Sequence, residues 1–549
     1  MFKQVRAILL DTRSIQKYIF STNKLKLNVG ASYLVDTIFD KMEKEILPSF
    51  FKPEELKNDW RNSNIQITAD DSVKCEIAYV GGGNMIVLFD MGVQENVIKE
   101  IIGQWTKLLL VATPGLSTGA AIGVLELGDV ERFKLSREKL YRELKVNQNS
   151  VFPNVDLPYS GLTVECKLSG KPADLYGKIR DGGRTEEHYI SAGEKRKSDS
   201  ADLSNNNMKN NIVENLREKK MSIEDYNFTY EIEKLGQKKG DEYVAVVHID
   251  GNDMGVRFQS CRNLEATKEL SQKVARRTKE ALAELVASIV MEYKNYFDKT
   301  FAESGMLDGD TKKDRILPIR PIIVGGDDIT FVCPGKCGLI YAKRFMEYLS
   351  KKEIGGGVFH SCAGIAIVPT KYPFFRAYEL AEQLCDEAKK KAREGKEKNI
   401  PGLENGSSWL DFLVLHGEQS ADLARIRKEE FTGALGNMHY GPYRVAPESA
   451  SHSVERLING ALCLQDKNKF PRNKVKEMRN VIGKDSGEIR LFMDQFKYSG
   501  MKLPKMGEGL TRFNDLWVKE GNGYVTPYLD MIELMDFIYD GAKKMEAVK

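Results

Sequence analysis

Three carboxylates carry the strongest chemical signal in the chain. Asp250 closes the apolar run VAVVHID, and Asp327 and Asp328 stand together in VGGDDITFV. The flanking runs are β-branched and apolar, so they read as buried strands, with Gly-Gly-Asp-Asp at the tip of a hairpin. In an antiparallel sheet, a strand end and a neighbouring hairpin tip can meet at one edge. Three carboxylates gathered there repel one another unless a cation neutralises them. Mg²⁺ (or Mn²⁺) suits such a site, because it takes carboxylate and phosphate oxygens and keeps part of its water shell. Two such ions can activate an attacking hydroxyl and stabilise a leaving pyrophosphate. The expected chemistry is nucleotidyl transfer, with Asp250, Asp327 and Asp328 as catalytic residues and metal ligands.

The neighbouring residues suit a nucleotide. Gly325 and Gly326 have no Cβ, so a ligand can approach the backbone, and they tolerate positive φ. Gly251, Asn252 and Asp253 follow Asp250 and precede a helical stretch, where backbone N–H groups can form a nest for a triphosphate. Lys389, Lys390, Lys391 and Arg393 end a later helix, and one or more could reach phosphates; periodicity does not say which. Blander readings stand beside these. Gly-Gly-Asp-Asp alone is often an exposed turn, and lysines at a helix end are usually solvated. His248 shares a face with Asp250 by strand alternation and reads as packed or hydrogen-bonded. Cys333 and Cys337 make only half a zinc site.

The elements that position these residues occur twice. VRAILLDTRSIQKYIF (5–20) matches VAVVHIDGNDMGVRF (244–258), and AYVGGGNMIVLFD (78–90) matches RPIIVGGDDITFVC (320–333). LSTGAAIGVLE (116–126) then matches FHSCAGIAIVPT (359–370), and a helical stretch follows each. Agreement over four elements in order implies two duplicated α+β domains. In the first copy Asp11 persists, but Gly81-Gly82-Gly83-Asn84 replaces the double aspartate. A two-metal site cannot form there, so Asp11 and Gly81 to Gly83 point to a nucleotide-holding or purely structural copy.

This divides the 549 residues into a first domain at 1–150, a linker or small module at 151–240, a second domain at 241–400, and a mainly helical region at 401–549. The polar stretch 195–220 reads as a mobile loop or solvated helix, and 396–406 as a linker. A formal charge of +3 gives no overall basic field for bulk nucleic-acid binding. Eight scattered cysteines without a CxxC pair point to a reduced, cytoplasmic setting, and no apolar run is long enough to span a membrane.

HIDGNDMG, RPIIVGGDDITFV and the AGIAIV to YPFFRAYELAEQL stretch resemble the second palm domain of the large polymerase/cyclase subunit of type III CRISPR effector complexes. DTRSIQKYIF, NVGASYLVD and the altered GGGN resemble that subunit's first palm. The resemblance covers about residues 1–400. It implies two ferredoxin-like, nucleotidyl cyclase-like palms that each hold an NTP. It also implies synthesis of cyclic oligoadenylate from ATP as a second messenger in antiviral defence. Under it, Asp250, Asp327 and Asp328 hold the metals, Gly325 and Gly326 floor the nucleotide, and the acceptor lies near Asp11 and Gly81 to Gly83. Implied partners are other CRISPR-type effector subunits and RNA. The chain departs from the family in starting at the palm without an HD domain, and in keeping only Cys166 of the usual zinc module. A mononucleotide or dinucleotide cyclase, and an RNA-binding scaffold, remain alternatives at this stage.

Overall fold

The computed structural model describes residues 3–62, 64–150, 161, 163–181, 184–217, 221, 223, 226–235, 242–296, 316–354, 357–397, 406–417, 422–447, 450, 452–504, 512–513, 516–521 and 523–539. Most of the expected 396–406 linker lies outside these. The class is α+β, as the strand and helix patterning requires.

The first sheet contains β1 (Lys3–Arg13), β2 (Leu56–Lys57), β3 (Cys75–Gly81), β4 (Asn84–Phe89) and β5 (Ser117–Leu127), in the order β2-β3-β4-β1-β5. β1 runs antiparallel to both β4 and β5. Its alternating residues feed two cores, which explains why it reads as a continuous apolar run. Ile8 and Leu10 pack on one face with Ile98, Ile101 and Trp105 of the Glu95–Ala112 helix. Val5, Ala7 and Leu9 pack on the other with Phe133, Leu140 and Leu144 of the Val130–Asn149 helix.

A hairpin of β6 (Leu175–Asp181) and β7 (Arg184–Ile190) follows. Residues 192–216, where a loop or solvated helix was expected, form a helix. It is not merely solvated: buried Lys197 donates to Ser21 Oγ at 2.7 Å and pairs with buried Glu194 at 3.3 Å.

The second sheet contains β8 (Tyr243–Gly251), β9 (Arg320–Gly325) and β10 (Asp328–Pro334). After a short hairpin of β11 (Glu353–Ile354) and β12 (Gly357–Val358) it continues with β13 (Ser361–Pro369), β14 (Trp409–Val414) and β15 (Tyr443–Arg444). The order is β15-β14-β13-β8-β10-β9. β3-β4-β1-β5 in the first sheet thus corresponds to β9-β10-β8-β13 in the second, and the repeat read from sequence is a repeat of topology.

The Phe374–Glu397 helix covers one face of the second sheet. Its stripe of Ala377, Leu380, Ala381, Leu384 and Ala388 is fully buried. Gly364 of β13 allows that approach: a Cβ there would lie 1.9 Å from Ala381 O.

The region after residue 407 holds helices at Val454–Gln465, Arg472–Val481, Ser486–Tyr498 and Tyr528–Met535. It also holds strands that its sequence did not suggest. β14 pairs parallel with β13, and β16 (Arg512–Phe513), β17 (Trp517–Glu520) and β18 (Gly523–Val525) form a small antiparallel sheet. No helix among the described residues is long and apolar enough to cross a membrane.

By internal packing the chain forms two compact units. The first comprises Met1–Glu214, Asp253–Lys279 and Ile322–Asp327; the second comprises Asn215–Asn252, Glu280–Pro321 and Asp328–Lys549.

Candidate active site

Register places two of the carboxylates side by side. Ile329 with Ile249 is the last pair of the antiparallel β10–β8 ladder, so Asp328 and Asp250 stand one residue beyond it on adjoining strands. Directly opposed residues of an antiparallel pair have Cβ atoms about 4.5–5.5 Å apart. Both aspartates are half-buried at the strand ends. Like charges at that spacing need compensation, and Lys389 provides it for Asp250 through a direct ion pair. The helix that buries the apolar stripe also delivers this lysine. Burial alone would lower the Lys389 pKa, but the Asp250 charge outweighs it and holds the ammonium protonated.

Asp328 is compensated differently. Its Oδ1 lies 3.3 Å from His248 Nδ1, which also lies 3.3 Å from Thr330 Oγ1. Asp328 Oδ1 is buried, and the His248 imidazole is its nearest charged neighbour. A carboxylate oxygen withdrawn from water is costly, and a cation relieves that cost. His248 is buried, which opposes its charge, yet the Asp328 and Asp250 carboxylates raise its pKa above the ordinary value. Tyr378 packs edge-on against the imidazole at 5.5 Å.

Asp327 occupies the hairpin turn. Gly326 before it takes a positive φ of 58°, and Thr278 Oγ1 donates to the Gly326 carbonyl at 2.6 Å, fixing the tip. Among the described residues, no three His, Cys, Asp or Glu side chains form a metal-sized cluster. Asp250 and Asp328 thus lie at adjoining strand ends, and Asp327 lies on the hairpin turn beside them. The reason is local: strand pairing fixes the first two, whereas a turn residue is outside the ladder. The donor set suits Mg²⁺, with hard carboxylate oxygens at the ends of adjoining strands.

The glycines divide by environment. A Cβ added to Gly325 or Gly326 would meet no atom within 4 Å, so packing does not require glycine at 325. The nest expected after Asp250 is partly spent, since Asn252 N–H donates to His360 O at 2.9 Å and its Nδ2 to Ser407 O at 3.1 Å. Gly251 is the last residue of β8, Asp253 takes a left-handed φ of 59°, and the helix behind it, Met254–Gln259, has only six residues. Of the lysines, only Lys389 reaches the carboxylates. Lys390 pairs with Glu387 at 2.7 Å and Lys391 with Glu520 at 3.6 Å.

The first copy shows the same frame with other side chains. Asp11 pairs in register with Asn84, and Gly81 with Asn84 across the turn Gly82-Gly83. Asn84 therefore stands where Asp328 stands, and Gly83 where Asp327 stands. Burial raises the Asp11 pKa, while Gln148 Nε2 donates to Asp11 Oδ2 at 2.7 Å. Gly81 and Gly83 are tightly packed: added Cβ atoms would meet Ser271 Oγ at 2.4 Å and Thr12 Oγ1 at 2.6 Å. Gly82 is open, with a positive φ of 60°.

Sequence reasoning had marked His248 for its face but not its contact with Asp328, and could not select Lys389 from its neighbours. Helical spacing from the buried stripe offers one signal: Ala381, Cys385 and Lys389 lie four apart.

Residues 243–399 match the family Cas10/Cmr2, second palm domain. This segment is similar to the Cas10/Cmr2 second palm. The match spans Asp250, Asp328 and Lys389, so the copy that resembles the second palm is the one that carries the double aspartate. Among solved structures, the chain is similar to one described as the apo Csm1-Csm4 cassette, at 13% identity and TM-score 0.46, covering 92% of this chain and 66% of that one. It is also similar to one described as that cassette in complex with AMPPNP, at 14% identity and TM-score 0.41, covering 71% of this chain and 53% of that one. A third, described as in complex with cA4, matches at 12% identity and TM-score 0.41. The chain thus spans between about half and two-thirds of the solved chains it matches. No curated protein matches it.

Proposed function

We propose that the chain is a Mg²⁺-dependent (or Mn²⁺-dependent) nucleotidyltransferase that joins NTPs, with ATP the leading candidate, into cyclic oligonucleotides as a second messenger in antiviral defence. The observation that carries this reading is that Asp250 and Asp328 end adjoining strands, with Lys389 against the one and His248 against the other, inside a segment that matches the Cas10/Cmr2 second palm. In this reading Asp250, Asp327 and Asp328 hold the metal, which supplies charge neutralisation and activation of the attacking hydroxyl. The residues of the chain do the rest. Gly325 and Gly326 leave the backbone open beneath the nucleotide. Lys389 keeps its proton and exchanges its Asp250 contact for a phosphate oxygen. His248 holds the Asp328 carboxylate in place. Asp11 and Gly81 to Gly83 of the first copy hold the acceptor nucleotide in this reading. Other effector subunits, RNA and a cytoplasmic location belong to the same proposal.

The test is product analysis by mass spectrometry after incubation with each NTP, Mg²⁺ and candidate RNA activators. Cyclic or linear 3′–5′ oligomers are expected. A product limited to cAMP, cGMP or a cyclic dinucleotide replaces this reading with a simple cyclase. No product under any condition, together with salt-sensitive nucleic-acid co-purification, replaces it with a scaffold.

A further inference from the structure

The second unit contains a cavity of about 330 Å³ that the carboxylate site does not use. We infer that it binds a nucleoside-sized ligand of low net charge and communicates with Asp250 through Asn252. Its size falls at the lower end of small-molecule sites, which begin at about 300 Å³.

The lining sets the ligand chemistry. Arg444 shares the cavity with Glu347 and Glu455, and with Ser407, Ser408 and the His360 ring. Lys343 ion-pairs with both glutamates, at 3.3 Å from Glu347. Two cations thus balance two carboxylates, so a triphosphate would set its charge against the glutamates with no net attraction. A nucleoside offers what the walls ask for: amine and hydroxyl donors for the carboxylates, ring and sugar acceptors for Arg444 and the serines, and a flat face for the apolar Val445 to Pro447 wall. Gly406 keeps the space clear. It sits at φ 86°, and a Cβ there would press on the His360 ring at 3.2 Å.

The walls of the cavity are the groups that hold Asn252. His360 O accepts the Asn252 N–H and Ser407 O accepts its Nδ2. Ser408 Oγ in turn accepts Ser361 N–H at 3.1 Å, and Ser361 pairs with Gly251, the residue after Asp250. A ligand that shifts the Ser407 and His360 carbonyls must shift the turn after Asp250. The binding itself is independent of the proposed function; only the meaning of the coupling rests on it.

Trp409 supplies the readout, since its Nε1 donates to Ser407 Oγ at 2.6 Å. The full chain is titrated with adenosine, guanosine, cytidine, uridine, ATP and glycine, without metal, following tryptophan emission and calorimetry. At least one nucleoside should saturate, with ATP and glycine at least tenfold weaker. Arg444→Ala should weaken it at least tenfold and Arg444→Lys less. The Asp327→Ala/Asp328→Ala chain should bind normally, which separates this site from the carboxylates. Amide exchange at Asn252 should change on binding, because its N–H acceptor is the His360 carbonyl. No nucleoside binding at millimolar concentration, preference for the zwitterion, or indifference to both Arg444 variants overturns the site. Unchanged Asn252 exchange overturns the coupling.

Discussion

Two glycines in the second palm allow the same methyl group to test packing and function separately. At Gly364 an added Cβ would lie 1.9 Å from Ala381 O and 2.5 Å from Cys385 N, both backbone atoms of the Phe374–Glu397 helix. Ordinary contact needs about 3.4 Å or more, so the helix must retreat by about 1.5 Å. Overpacking of this kind costs about 1–3 kcal/mol and occasionally more. Gly364→Ala should therefore lower Tm by several degrees, and it should loosen Lys389 along with its helix. At Gly325 the added methyl meets no atom within 4 Å, and φ is not in the left-handed region. Replacing a strand glycine with alanine gains up to about 0.5–1 kcal/mol by restricting the unfolded chain. Gly325→Ala should keep or raise Tm. If the nucleotide rests on this backbone, the methyl displaces it, and misplacement by about 1 Å can cost about 100-fold in rate. Paired thermal melts and ATP turnover check both. A Gly325→Ala chain with full ATP affinity and turnover, or one that melts early, would refute the assignment of Gly325 as nucleotide floor.

Lys389→Ala leaves half-buried Asp250 without its counter-charge; it should cost about 1–2 kcal/mol, between surface and buried pairs, with a larger loss of ATP turnover, and Lys389→Arg should restore part of both. A second network should report on pH. Buried His439 lies 3.0 Å from Asp530 and 3.1 Å from Asp411, with Arg427 at 3.2 Å from Asp411. Burial and Arg427 oppose its charge, but the two aspartates prevail and raise its pKa above 6.5. Its contribution is fully present below about pH 6.5 and fades as pH rises through the raised folded value. His439→Gln should lower stability by about 3 kcal/mol at pH 6, read by urea denaturation, and should flatten the decline above that pH.

How much of this was legible follows from how local each signal is. β1 and β8 bury both faces, so VRAILLD and VAVVHID announced themselves, and equal spacing in the two halves gave the repeat. The stripe Ala377 to Ala388 was legible by period alone. β14 was not, because WLDFLV lies beyond a linker and its partner β13 is remote in sequence. Asp250 was legible as a strand end, whereas Asp328, expected at the hairpin tip, opens β10. The fate of Asp327 on its turn was not legible, nor was the use of the Asn252 N–H by His360, because both depend on contacts outside the strand pattern. The polar 192–216 helix hid its buried Lys197–Glu194 pair for the same reason.

The central claim is that these carboxylates hold a metal that transfers nucleotides. It is tested most directly by mass spectrometry of products from ATP and Mg²⁺, comparing the native chain with Asp327→Ala/Asp328→Ala, both first shown to melt alike. The native chain should yield 3′–5′ linked oligoadenylates, and the variant at least 100-fold less. Equal product from both would contradict it.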